Sequence, residues 1–262
     1  MESKITLTSN GDIAVVTMSN PEQANAIDIP FCDELLRVLD DIRNTPRFRA
    51  VILQATGKIF SAGGNLVQIL EGLENADGSL EKLINALHAV ILSIRRLPIP
   101  VIASVQGAAA GAGFSLAMAC DWVVASKSAR FVVGYAQLGT SSDGGLSFHL
   151  ARRLGSARAL QILLGSGALS ADEAGALGLV QCVSDPSAVE GDTLALARKV
   201  IETPGAAVRE FKSLVGEASE SGLEQHLERE KQAFLRCALT DEFRQRVTDF
   251  VGRSSPGKAP KN

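Results

Sequence analysis

Three short segments hold the residue types that could do chemistry. Phe60-Ser61-Ala62-Gly63-Gly64-Asn65-Leu66 and Gly107-Ala108-Ala109-Ala110-Gly111-Ala112-Gly113 are glycine-rich turns, each after a strand-like run and each leading into a helix. Small residues let a ligand approach the backbone, and the first N–H groups of a helix have no intrahelical acceptor. Two such turns at adjacent strand ends can aim two N–H groups at one oxygen, the geometry of an oxyanion hole. Tight helix–strand packing uses the same residues equally well. The third segment, Leu138-Gly139-Thr140-Ser141-Ser142-Asp143-Gly144-Gly145, is polar and holds one carboxylate. Asp143 reads either as a general base or as the N-cap of the helix that follows.

Other chemistries lack their residues. Gly111-Ala112-Gly113 is half a dinucleotide fingerprint, without the third glycine and without an acid about 20 residues further on. There is no phosphate loop and no G-x-S-x-G elbow. His88, His149 and His226 lie far apart without metal-ligand spacing, and no C-x-x-C pair exists among Cys32, Cys120, Cys182 and Cys237. No metal site and no nicotinamide or flavin cofactor is expected. The cysteines read as reduced, buried thiols of a cytoplasmic protein.

The elements that position these segments follow from periodicity. Phe31, Leu35, Val38, Leu39 and Ile42 recur at helical spacing over 29–43, with Asp28 as the N-cap. Residues 80–97 form a second helix, ended by Pro98 and Pro100, and 111–119 a third. Strands are expected at 12–18, 50–55, 101–105, 122–125 and 131–133. Alternation of strands and helices implies parallel pairing with covered faces. Beyond residue 143 the chain is mostly helix, at 145–154, 157–164, 171–177, 193–203, 205–217, 222–237 and 241–251, with one short strand at 179–183. This gives an α/β core over residues 1–192 and a helical region over 193–262. Leu223, Leu227 and Phe234 form an apolar stripe that must cover either the region's own core or a neighbouring subunit. No internal repeat is visible.

The chain has 262 residues, 46% hydrophobic and 21% charged, which excludes disorder as its main state. A net charge of −3 with no basic block argues against nucleic acid as a partner. The longest charge-free stretch, Leu97 to Cys120, is 24 residues, long enough to span a membrane. Its prolines, glycines and Gln106 read instead as a buried strand, a turn and a buried helix.

Along almost its whole length the chain is similar to the enoyl-CoA hydratase/isomerase (crotonase) superfamily. The matching stretches are PEQANAI at 21–27, FSAGGNL at 60–66, 100–126, 129–155 and LSADEAGALGLVQCV at 169–183. The resemblance is closest to the phenylacetate-pathway enoyl-CoA isomerases, in which a carboxylate stands four residues after a Leu-Gly, as Asp143 does after Leu138-Gly139. It implies a spiral of ββα repeats with a C-terminal helical trimerisation region, assembly as a homotrimer or hexamer, and a coenzyme A thioester as substrate rather than as a separate cofactor. The thioester oxygen would accept from the N–H groups of Gly64 and Ala112. Ala62 would lie against the adenine, and Ala24, Ala26 and Ile27 along the pantetheine. The resemblance makes Gly63, Asn65, Leu66, Gly111 and Leu138 further expected substrate-contact positions.

The departures from the family pattern bear on the reaction. Ser115 and Tyr135 stand where the hydratases carry two water-activating glutamates, and are expected to contact substrate instead. Asp143 is then the one carboxylate that the pattern places at the reacting carbons. An acid here moves a proton between C2 and C4 in the isomerases and is a nucleophile in the chlorobenzoyl-CoA dehalogenases. The dehalogenases also share the histidine spacing of His88, whose alternatives are to face the acyl chain or to be a helix-surface or packed histidine. Double-bond isomerisation through a thioester enolate is the expected activity. A hydratase working with one carboxylate, a hydrolase or dehalogenase, and a non-catalytic acyl-CoA-binding protein are the alternatives.

Overall fold

The computed structural model describes residues 4–75, 78–165, 167–219 and 222–254. The chain forms two compact units, Met1–Ile201 and Glu202–Asn262. In chain order the first contains β1 (Ile5–Asn10), β2 (Ile13–Met18), α1 (Ile29–Arg43), β3 (Ala50–Ala55), β4 (Ile59–Ser61), α2 (Leu66–Asn75) and α3 (Ser79–Arg96). Next come β5 (Val101–Val105), β6 (Ala108–Ala110), α4 (Ala112–Ala119), β7 (Trp122–Ser126), β8 (Arg130–Val132), α5 (Leu146–Leu154) and α6 (Ser156–Leu164). The unit closes with β9 (Ala168–Ser170), α7 (Ala171–Ala176), β10 (Cys182–Ser184) and α8 (Val189–Ile201).

Two sheets organise this unit. One runs β1-β2-β3-β5-β7-β10, parallel except for the β1–β2 pair; the other runs β4-β6-β8-β9, parallel except for β8–β9. The pairs β3/β4, β5/β6 and β7/β8 each give one strand to each sheet before the chain turns into helix. This is a spiral of ββα turns. The repeat is structural and has no counterpart in residue identity, because each turn meets different neighbours. β5 is buried at every position, as a strand covered on both faces must be.

Several expectations meet the structure directly. Phe31, Leu35, Val38, Leu39 and Ile42 are all buried, and Asp28 Oδ1 accepts from Phe31 N at 2.8 Å as the N-cap of α1. The charge-free stretch becomes β5, β6 and the wholly buried α4. Among the described residues no helix is long and apolar enough to cross a membrane.

Other elements differ. β1, β4, β6 and β9 were not expected, while α2 is the helix that the first glycine-rich turn leads into; the three short strands of the second sheet owe their form to lateral pairing rather than to apolar runs. The second glycine-rich segment is therefore not one turn, since its three alanines form β6. β10 begins at Cys182 rather than at 179, because Leu179 N and Val180 N donate back to Ala174 O and close α7. α8 starts at Val189, with Thr193 Oγ1 donating to Val189 O, so a boundary at 192 falls inside a helix of the first unit.

The second unit contains α9 (Gly205–Glu217), α10 (Leu223–Ala238) and α11 (Asp241–Ser254). In α10 only Ala233 is buried; Leu223, Leu227 and Phe234 are exposed, so this stripe does not cover the unit's own core.

Candidate active site

β4 and β6 are parallel neighbours, so the turns that follow them open side by side. Gly63 and Gly113 make the approach possible. A Cβ on Gly63, whose φ is +91°, would stand 2.7 Å from Ala110 O and 3.2 Å from Ala112 N. A Cβ on Gly113 would stand 2.5 Å from Ser61 O. Around the first turn the backbone is stitched to the 24–27 loop: Ala62 N donates to Ala24 O, Ile27 N to Gly63 O and Asn65 N to Ile27 O. The side chain of buried Asn25 supports that loop by donating to Thr56 O and Ile59 O, while Ser61 Oγ donates to Asn25 O at 2.8 Å. The N–H of Gly64, between two engaged neighbours, and that of Ala112, at the first position of α4, donate to no acceptor among the described residues. These are two donors on adjoining turns, as an oxyanion hole requires.

The segment carrying Asp143 is held against α4, which starts at the second of these turns. Ser115 Oγ, on α4, donates to Asp143 O at 2.7 Å. Tyr135 OH donates to the same carbonyl at 3.3 Å and lies 3.1 Å from Ser115 Oγ. Burial pushes the Tyr135 phenol up to about 12, which keeps it a neutral O–H donor. Gly144, with φ of +59°, allows the segment to sit on Ser115: a Cβ there would be 2.9 Å from Ser115 Cβ. The carboxylate points to α3, where His88 Nε2 stands 2.6 Å from Asp143 Oδ1. An ionised carboxylate only accepts, so Nε2–H is then the donor. Gly144 N donates to the same Oδ1 at 2.5 Å.

Asp143 is not the N-cap of α5. That position belongs to Gly145, and no side chain caps the helix; the Asp143 carboxylate engages Gly144 N and His88 instead. His88 is not a surface bystander, since it is the carboxylate's side-chain partner. Ser115 and Tyr135 hold the backbone of Asp143, a role that the expectation of substrate contact missed. Asn65 Oδ1 accepts from Val67 N and Gln68 N and so caps α2. Ile27 is buried and contributes its backbone; Ala62, Leu66 and Leu138 are exposed, and Ala24, Ala26 and Gly111 are half-buried beside the turns. The supporting hydrogen bonds of Asn25 and Ser61 escaped sequence reasoning, although an asparagine within PEQANAI was the available signal. His149 lies under Gly145, where burial and then Arg95, Arg153 and Arg152 push its pKa down to about 4. A cleft of about 290 Å³ lined by Ile29, Pro30, Gln68, Glu71, Ser79 and Leu83 opens between α1, α2 and α3, but neither Asp143 nor the two donors line it. No group of three or more His, Cys, Asp or Glu side chains among the described residues gathers as metal ligands would.

A family model described as enoyl-CoA hydratase/isomerase matches residues 8–257. The chain belongs to this family. A crystal structure of an enoyl-CoA hydratase from Polaromonas sp. JS666 superposes with a TM-score of 0.91 at 38% identity, covering 97% of this chain and 98% of that one. A trans-2-decenoyl-(acyl-carrier-protein) isomerase of Streptococcus mutans is 29% identical over 93% of both chains. A 1,2-epoxyphenylacetyl-CoA isomerase of Escherichia coli is 29% identical over 93% of this chain and 94% of that one. The protein is thus a crotonase-family α/β enzyme. In this hydratase/isomerase family member, the hydroxyls of Ser115 and Tyr135 pin the Asp143 carbonyl.

Proposed function

We propose that this protein isomerises the double bond of an enoyl-CoA through a thioester enolate. The observation that carries the reading is Asp143, a single carboxylate whose segment is fixed by Ser115, Tyr135 and His88 against α4, at whose start two adjoining turns present unengaged N–H groups. Gly64 N–H and Ala112 N–H hold the thioester oxygen as negative charge develops on it. Asp143 removes a proton from one carbon of the acyl group and returns it two carbons away. Shuttling one proton needs one base, whereas hydration also needs a water held and activated, and the two hydroxyls at the glutamate positions are turned to Asp143. The reaction draws on no nicotinamide, flavin or metal, because the protein's own N–H groups and carboxylate supply every step. The exposed stripe of α10 supports assembly as a homotrimer or hexamer.

The 2.6 Å contact of His88 with Asp143 favours a second reading, in which Asp143 displaces halide from a carbon of a halogenated acyl group to form an ester, and His88 takes a proton from the water that hydrolyses this ester to the hydroxylated acyl-CoA and free Asp143. One experiment separates the two. Wild type and Asp143→Asn are incubated with butyryl-CoA in deuterated water and with a β,γ/α,β-enoyl-CoA pair. Isomerisation with α-proton exchange that falls by at least about 10²-fold in the variant supports the enolate route. Rapid hydration of crotonyl-CoA without isomerisation defeats it in favour of a one-carboxylate hydratase, and incorporation of labelled water oxygen into Asp143 defeats it in favour of the nucleophile.

A further inference from the structure

α4 begins at the Ala112 N–H and ends, at Ala119, in a half-buried cluster of charge. Its last carbonyls have no partner within the helix. Arg153, on α5, donates through Nη2 to Met118 O at 3.1 Å and to Cys120 O at 3.0 Å. Arg95, at the end of α3, donates through Nη1 to Ala119 O at 3.3 Å and pairs with Asp121 at 3.0 Å. Three consecutive carbonyls are thus each met by a guanidinium. Two cations converge on one helix end with one carboxylate between them. Burial, and then Arg95, push the pKa of Arg153 down, so the arrangement is costly as well as specific.

All eight residues of α4 are buried, which leaves little water to screen one end from the other. A helix of this length spans about 12 Å. Its C-terminal end carries a partial negative charge that opposes the positive end at Ala112. We infer that Arg153 and Arg95 are positioning residues for the oxyanion hole: by neutralising the C-terminal end of α4 and fixing its axis, they strengthen the field that the Ala112 N–H presents to the thioester oxygen. This inference rests on the proposed oxyanion hole at Gly64 and Ala112.

The test reads the thioester directly. Butyryl-CoA, isotope-labelled at the thioester carbonyl, is bound to wild type, Arg153→Met, Arg153→Lys and Arg95→Met, and the carbonyl stretch is followed by isotope-edited infrared spectroscopy beside the α-proton exchange rate. In wild type the band moves to lower frequency on binding. In Arg153→Met and Arg95→Met it moves back toward the free thioester, and exchange slows about three- to tenfold in maximal rate with KM little changed. Arg153→Lys, which keeps the charge, recovers most of both. A folded methionine variant with the wild-type band and rate overturns the inference, as does a lysine variant as impaired as the methionine one. Should Arg153→Met not fold, Arg95→Met, whose side chain reaches solvent, carries the same reading. A wild-type band that does not move on binding overturns the oxyanion assignment itself, and this inference with it.

Discussion

His88 Nε2 and Asp143 Oδ1 lie 2.6 Å apart across 55 residues of sequence, the former on α3 and the latter in the loop before α5. Their side chains are 48% and 27% exposed, so substrate can reach the pair. In the enolate route the imidazole orients the carboxylate without taking the proton. His88→Gln keeps a donor and should slow α-proton exchange by about tenfold, well short of the Asp143→Asn loss. Equal losses in the two variants, measured on the same acyl-CoA, would make His88 a full partner in the chemistry.

Gly64→Pro deletes one donor while Ala112 keeps the other. Turnover should fall about 10²–10³-fold, or about 3–4 kcal/mol of transition-state stabilisation. Steady-state kinetics beside a circular dichroism spectrum checks this; a folded variant with near-normal turnover removes Gly64 from the site.

Tyr135→Phe and Ser115→Ala each remove one donor from the Asp143 carbonyl. Because Ser115 makes the shorter bond, Ser115→Ala should be the more harmful, with kcat lowered about tenfold and KM nearly unchanged. A KM effect alone would return both residues to the substrate-contact role.

His149 is 8% exposed and its pKa is pushed down to about 4 from an ordinary 6.5. The folded state therefore binds fewer protons than the unfolded one between these values. Stability should be fully present above pH 6.5 and fall as pH drops toward 4, by about 3 kcal/mol in all. His149→Leu should flatten that part of the curve of urea midpoint against pH; an unchanged slope would place the acid sensitivity elsewhere.

Leu227 and Phe234 are 53% and 63% exposed on α10. If a second copy covers them, Leu227→Glu with Phe234→Glu should shift light scattering from a multiple of the 27.6 kDa chain mass toward the single chain. A wild-type monomer at micromolar concentration would end that proposal.

Local chemistry made some of this protein legible from its residues alone. The stripe Phe31, Leu35, Val38, Leu39 and Ile42 and the cap Asp28 define α1 because helical period and capping depend on neighbours in sequence. The glycine-rich turns and the carboxylate of Asp143 were visible for the same reason, and the matching stretches set the family. What the tertiary structure decided are relations between distant segments. β4, β6 and β9 exist through lateral pairing, which no single short run encodes. The cap reading of Asp143 fell only because Gly145 took the cap position and His88, from another helix, took the carboxylate. Ser115 and Tyr135 became anchors of the Asp143 carbonyl only because Gly144 lets that loop lie on α4, a contact fixed by backbone approach in space rather than by spacing along the chain.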